Sequence, residues 1–554
     1  MDFEWRVISS LEKIFPESYL RVASCDGFRG LRSEILSFQI AVRTAAVRIL
    51  AWEIAGDLAT ETTVREIKPV PSELPTDEAP DSNYLRTTPG LFPDLLLEPA
   101  GNHIKTMMGY WQSLWVSIKI PAEAKSGKHQ LSFTFKSDDR PNIIQKHIEE
   151  KFTVDIVVFP FKLPKQKLLR CEWFHVDCLS KKYNVESWSE PHWDLIKKYV
   201  KDMASHGINM LYTPLWTPPL DTAVGAERPT AQLLEIEKKG NIYEFDFSRL
   251  ERYIDLGLSL GCTHFEMSHA FSQWGAKFTP KIMVRIDGCE KQLFGWQVPA
   301  DSEEYKEFLT QLMAQLVPFL LNKGLKDHCY FAVSDEPIEK HLESYGYAAT
   351  LMRSLIKPFQ TLDALSVYEF YKRGYVENPI PICDHIEDFK GKVEHLWTYY
   401  CSGGNLIPNR FMAMPSARNR ILGTLFYIYR IYGFLHWGFN FWYSQFSLDQ
   451  DIDVFLITDA KRAFPSGDSF MVYPGKNGPL GSIRHEVFFE GLQDLRLMEL
   501  LEEKIGRNAV LKIIHAGVPY EISMRRYPTS SEWLLGLRER LLDRLQNLEQ
   551  SEYV

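Results

Sequence analysis

The feature that most constrains this chain is a change of rhythm near residue 165. Beyond it, short apolar runs alternate with stretches of helical spacing. Residues 168–174, 208–213, 263–268, 328–334, 364–370, 380–384, 393–400 and 434–442 read as buried strands. Helical patterns over 191–206, 247–260, 302–323, 339–357, 415–432 and 482–505 separate most of them. Eight buried strands with intervening helices predict an α/β fold, a (β/α)8 (TIM-like) barrel. The helix after the fifth strand has the faintest pattern.

Ahead of residue 165 the runs are shorter and alternate apolar with polar residues. Residues 33–42, 114–120, 129–135 and 152–158 read as half-buried strands, with turn signals such as Pro121 and Ser126-Gly127 between them. That pattern predicts a β-sandwich over 30–165, preceding a barrel over 166–510. A helical segment is expected over 1–29, from Trp5, Ile8, Leu11, Ile14 and Phe15. A proline- and acid-rich surface loop is expected over 69–93, a linker over 160–164, and a helical extension over 511–554 packing on the barrel. A chain of 554 residues, 45% hydrophobic, can bury a large core and a second domain.

Net charge is −9 and no long basic run occurs, which argues against nucleic acid as a partner. No apolar run is long enough to span a membrane. The eight cysteines are scattered without a CxxC, and the first residues lack a basic region followed by an apolar core. The expectation is a cytoplasmic protein with no disulfide framework, metal or cofactor.

The junction at the end of the fourth barrel strand is chemically distinctive. The run His328-Cys329-Tyr330-Phe331-Ala332-Val333-Ser334 stops at Asp335-Glu336-Pro337, ahead of a helical pattern. One reading is a helix cap: Ser334 or Asp335 as N-cap and Pro337 in the first turn. The other is a catalytic acid pair, because a barrel of this kind carries its site at the C-terminal strand ends. Other candidates there are Trp173, His175, Asp177, Tyr212, His269, Trp274, Glu369, Asp384, Trp397, Tyr399, Trp437, Asn440 and Trp442. A groove of aromatics and carboxylates suits a carbohydrate, since aromatic faces pack on the C–H faces of sugar rings.

From about residue 30 onward the chain resembles glycoside hydrolase family 123 and the related proteins carrying domain of unknown function 4091. The resemblance rests on an ordered series: Ser334-Asp335-Glu336-Pro337; Leu396-Trp397-Thr398-Tyr399 with Pro408-Asn409 and Arg418; Leu435-His436-Trp437-Gly438-Phe439-Asn440-Phe441-Trp442; Asp468 to Gly475; and Gly478-Pro479, Ser482-Ile483-Arg484 and Gly491-Leu492-Gln493-Asp494. It implies an exo-acting β-N-acetylgalactosaminidase of the β-N-acetylhexosaminidase type, working by substrate-assisted catalysis. Glu336 would then be the general acid/base, and Asp335 would hold and polarise the substrate's 2-acetamido group.

The residue types fit that chemistry on their own terms. Most glycosidases need two separated carboxylates, and two adjacent ones do not easily straddle a glycosidic bond. If the acetamido oxygen attacks the anomeric carbon, no enzymic nucleophile is needed. An ionised Asp335 would raise the pKa of Glu336, and Pro337 would hold Glu336 extended. The alternatives are a hydrolase of non-acetamido sugars that pairs Glu336 with Glu369 or Asp384, and a carbohydrate-binding relative without turnover.

Overall fold

The computed structural model describes residues 2–17, 20, 22, 24–137 and 147–552. Parts of the expected N-terminal segment, residues 138–146 of the expected sandwich and the last two residues of the tail therefore lie outside the described residues. The chain divides into two compact units, one formed by Met1–Gln166, Pro408–Ile428 and Leu480–Val554, the other by Lys167–Ile407 and Tyr429–Pro479.

The first unit is built on two five-stranded sheets. One runs in the order Phe3–Ser9, Ile35–Thr44, Gln112–Lys119, Thr62–Ser72, Gly90–Leu97; the other in the order Gly27–Arg32, Glu149–Lys162, Gly127–Ser137, Ile49–Gly56, His103–Lys105. Alternation sends one face of each sheet into a shared core. Leu36, Phe38 and Ile40 lie opposite Ile118, Val116 and Leu114, so the same face of both strands is apolar. On the other sheet Phe133 lies opposite Phe152 and Phe135 opposite Trp52. Phe38 and Phe133 meet edge to face between the sheets, with centroids 6.2 Å apart.

Two expectations for this unit are overturned. The N-terminal segment is a strand, not a helix: Phe3–Ser9 pairs antiparallel with Ile35–Thr44. Phe3, Trp5 and Val7 face the main core, while Ile8 packs with Ala41 and Trp111 on the other side. A strand apolar on both faces mimics helical spacing over a short window. The stretch 69–93 is not one loop, because its two ends are paired strands, with Pro69 opposite Pro93. The prolines start where the second ladder, Thr62–Ile67 against Ser113–Ile118, stops, so their missing N–H groups break no pairing there.

The helices Ser416–Arg420, Ile483–Ile505, Arg507–His515 and Ser531–Glu552 fall in this unit too. The chain from Leu480 onward, expected to belong to the barrel up to 510, groups with the sheets, as does the C-terminal extension. Charge pairing accounts for this. Asp494 accepts from Arg420 at 2.7 and 3.1 Å and from Arg538 at 2.7 Å, and Arg538 also reaches Glu34. Arg484 clasps Asp94 through two bonds of 2.8 and 2.9 Å. A Cβ on Gly491 would lie 2.6 Å from the Arg420 carbonyl oxygen, so glycine is what allows these segments to approach.

The second unit holds eight parallel strands in the order Asn378–Ile380, Gln360–Ala364, Cys329–Phe331, His264–Met267, Met210–Thr213, Leu169–Glu172, Gly433–His436, Trp397–Tyr399. A parallel bridge between Ile382 and Tyr399 links the ends, giving a nearly closed barrel. In chain order these are barrel strands one to eight, starting at Leu169. Trp173, Tyr212, Tyr330, Leu362 and Trp397 fill the interior. Gly433 leaves room for Trp397, whose ring would lie 2.3 Å from an added Cβ. Strand five spans Gln360–Ala364 rather than 364–370, and Tyr368–Lys372 is a short helix. A four-stranded sheet that periodicity did not suggest is inserted in the loops after strands two and three. Among the described residues, no helix is long and apolar enough to cross a membrane.

Candidate active site

A cavity of about 240 Å³ lies at the C-terminal strand ends, lined by Trp173, His175, Leu220, Asp221, Gln273, Trp274, Asp335, Glu336, Ala364, Tyr399, Cys401, Ser402, Leu435, Trp437, Gln445, Phe446 and Phe464. Its base is the tip of strand four. Asp363 of strand five accepts the Val333 and Ser334 N–H groups at 2.8 and 3.2 Å and the Tyr345 hydroxyl at 2.7 Å. Ser334 donates to the Ser272 carbonyl at 2.8 Å, and the next helical turn starts only at Glu339. Ser334 and Asp335 therefore cap no helix.

The acid pair is fixed by its backbone. The Trp274 N–H donates to the Asp335 carbonyl at 2.9 Å, and the Glu336 N–H donates to the Ala364 carbonyl at 3.0 Å. Glu336 has φ +46°, so it is not held extended ahead of Pro337 as expected. These bonds to neighbouring strand ends impose the left-handed turn. Successive strand residues face opposite ways, and breaking strand geometry here lets both acids line one cavity. Asp221, Trp274 and Phe446 also have positive φ, at +40°, +58° and +58°. Strained backbone is thus concentrated around this pocket.

The Tyr399 hydroxyl donates to Glu336 Oε1 at 2.6 Å. Asp335 is buried, and its carboxyl is pushed well above the usual range by burial, then by Glu336, Asp363, Glu266 and Asp221. None of the side chains lining the cavity is a lysine or arginine. A buried carboxyl among acids and with no cation beside it holds its proton, which is the state of Asp335. Beneath the pocket, Glu266 accepts the Trp173 indole N–H at 3.1 Å, and burial raises its carboxyl to about 7.

His175 is fixed in one tautomer. Arg228 Nη2 donates to its Nδ1 at 3.0 Å, so Nε2 carries the proton and donates to the Trp437 carbonyl at 2.9 Å. Burial and then Arg228 push the imidazole down to about 3, so it stays neutral. Asp177 holds Arg228 through bonds of 3.0 and 2.8 Å, and Asn440 brackets the His175 backbone at 2.9 and 3.0 Å. From the loop after strand two comes Asp221, which accepts the Phe446 N–H at 3.0 Å; burial raises it to about 6. Trp274, 42% exposed, meets Phe446 edge to face at 5.8 Å.

Of the residues singled out in the sequence, Trp173, His175, Trp274, Asp335, Glu336, Tyr399 and Trp437 line this cavity. Asp177 and Asn440 stand behind His175. Tyr212 and His269 are buried and bonded to each other at 3.1 Å, Trp397 fills the barrel, and the Trp442 indole donates to the Val472 carbonyl. Glu369 and Asp384 do not line the cavity: Glu369, on the short helix, pairs with Arg373 just past its end, and Asp384 with His385. Asp221, Gln273, Cys401, Ser402 and Phe446 were missed. They sit in irregular loops, and only the aromatic Trp274 beside Gln273 gave any signal.

Adjacent acids and aromatic rings around one pocket at a barrel rim are what a sugar-cleaving enzyme requires. The family description "Glycoside hydrolase 123, catalytic domain" matches residues 173–501, more than half of the chain, and the protein belongs to glycoside hydrolase family 123. It is therefore a glycosidase with a carbohydrate substrate. A family 123 glycoside hydrolase from Clostridium perfringens, solved in a study of glycolipid glycan hydrolysis, has the same fold. The TM-score is 0.75 over 99% of this chain and 98% of that one, at 14% identity. Two partial likenesses carry no argument. The PapD-like domain 7 of human CEP192 gives 8% identity over 29% of this chain and 87% of its own, TM-score 0.14. The seventh ScaB type I cohesin from Pseudobacteroides cellulosolvens gives 9% identity over 25% and 92%, TM-score 0.15. No curated protein matches the sequence.

Proposed function

We propose that this glycoside hydrolase is an exo-acting β-N-acetylgalactosaminidase, of the β-N-acetylhexosaminidase type, that retains configuration through the substrate's own 2-acetamido group. We read its two units as a β-sandwich and a (β/α)8 barrel, with the catalytic apparatus on the barrel. One observation carries the reading: Asp335 and Glu336, neighbours in sequence, line the same cavity. Neighbouring carboxyls are poorly placed to flank a glycosidic bond from opposite sides, the arrangement that two-carboxylate mechanisms use.

In the assisted route Glu336, steadied by Tyr399, gives its proton to the leaving oxygen as the acetamido oxygen closes on the anomeric carbon. Asp335 accepts the acetamide N–H and faces the positive charge that develops on the oxazolinium ring. Burial and then the neighbouring acids push this carboxyl upward, and the developing cation favours its ionised form, the proton it held passing to Glu336 before Glu336 acts as the acid. The attraction of Asp335 therefore grows from ground state to transition state, which is the condition for catalysis. Water, deprotonated by Glu336, then opens the ring.

The two-carboxylate alternative paired Glu336 with Glu369 or Asp384, neither of which lines the cavity; apart from Asp335, the other carboxylate in the lining is Asp221. A panel of 4-nitrophenyl glycosides tests the assignment. The expected result is release of nitrophenol from 2-acetamido-β-glycosides, none from the matching 2-hydroxy sugars, and loss of activity in Glu336→Ala. Equal cleavage of 2-hydroxy sugars would overturn it.

A further inference from the structure

Two polar groups in the cavity wall have no role in the chemistry above. Asp221 half-faces the pocket with Oδ2 committed to the Phe446 N–H, while Oδ1 receives no hydrogen bond from any described residue. Its backbone is held as well, since the Ser447 hydroxyl donates to its carbonyl at 2.7 Å. Gln273 lines the same pocket, is 9% exposed, and its buried Oε1 has no hydrogen-bond partner. A buried polar atom left unpaired costs free energy that a bound hydroxyl would recover. Most buried polar groups are satisfied, so an orphan amide oxygen beside an open carboxylate oxygen in a ligand cavity points to the ligand.

The rest of the pocket says which part of the ligand. Asp335 and Glu336 deal with the anomeric oxygen and the C2 substituent, and Trp173, Trp437 and Phe464 give the wall aromatic surface. What remains of a pyranose is its 3-, 4- and 6-hydroxyls. We infer that Asp221 and Gln273 read those remote hydroxyls and so set which terminal sugar is cleaved. This rests on the glycosidase reading of the cavity but not on acetamido assistance. A site built to hydrogen-bond a hydroxyl rejects the analogue lacking it far more strongly than an apolar pocket rejects an added group. The open oxygen of Asp221 accepts a hydroxyl proton, and the Gln273 amide can accept one and donate to another.

The test crosses Asp221→Ala, Asp221→Asn and Gln273→Ala with two substrate series. These are 4-nitrophenyl 2-acetamido-2-deoxy-β-D-galactoside and 4-nitrophenyl β-D-galactoside, each with its 3-, 4- and 6-deoxy analogues. On the parent substrate each alanine variant should lose about 10- to 100-fold in kcat/KM, with Asp221→Asn between it and wild type. On the analogue lacking the hydroxyl it reads, each variant should match wild type within about twofold. An equal loss on every analogue would make these residues mere loop supports and overturn the inference. Rescue of Asp221→Ala by azide would do the same, placing Asp221 at the anomeric carbon. If only the 2-hydroxy series is cleaved, the assisted mechanism falls and hydroxyl reading is measured on that series. If neither is cleaved, both fall.

Discussion

Asp494 and Asp335 are both buried aspartates, yet their surroundings push them in opposite directions. In the sheet-rich unit Asp494 lies between Arg420 and Arg538, which outweigh burial and hold its carboxyl below the usual range. In the barrel burial, and then the acids Glu336, Asp363, Glu266 and Asp221, push the Asp335 carboxyl up. The first arrangement satisfies every charge it buries. The second buries an acid that must hold its proton for want of a cation, a state that serves folding poorly and suits a site in which charge develops only during the reaction.

The largest effect expected from disturbing this contrast is at Asp494. Asp494→Ala leaves two buried guanidiniums short of a partner and should cost about 3–5 kcal/mol, read from denaturant unfolding. Because the folded pKa of Asp494 lies below its unfolded value near 3.8, its contribution is present above that pH and is lost as pH falls through the folded value. Wild type and variant should therefore converge in acid. No convergence would mean that Asp494 acts by packing alone.

Next comes Asp335→Asn, expected to lower kcat on a 2-acetamido glycoside about 100-fold without loss of stability. The sign is opposite to that of Asp494. The folded state keeps the Asp335 proton where the unfolded chain has released it, so wild-type stability declines as pH rises above about 4 towards the raised folded value. The variant has no charge there, and its thermal midpoint should pass above wild type over that span. A variant less stable at neutral pH would show that Asp335 is paired in a way the structure does not contain. The smallest effect is Tyr399→Phe, which removes one neutral donor to Glu336 and should reduce kcat about tenfold with KM unchanged.

Much of this contrast could be read from residues alone, and the gaps have physical causes. The strands of the sheet-rich unit were legible because Leu36, Phe38 and Ile40 alternate with their neighbours over one buried face. The acid pair was legible because it ends an apolar run. Strand five was placed four residues late because Asp363, a buried acid bonded to the backbone at the tip of strand four, looks polar in sequence. That displacement carried Glu369 into the expected site. Asp221 and Gln273 lie in loops, where hydrogen bonding to distant backbone, not periodicity, fixes position. The motif residues Arg484, Gly491 and Asp494 proved to serve packing in the sheet-rich unit.

The discontinuity of that unit bears on how the chain matures during synthesis. Ser10 bonds to Glu490, 480 positions later, and Glu34 to Arg538, 504 positions later. At roughly 5–20 residues per second on the ribosome, Glu34 waits about 25–100 s for its partner. The strands up to Gln166 thus emerge well before the segments that complete their unit, and a nascent chain halted before Ser531–Glu552 carries that unit unfinished.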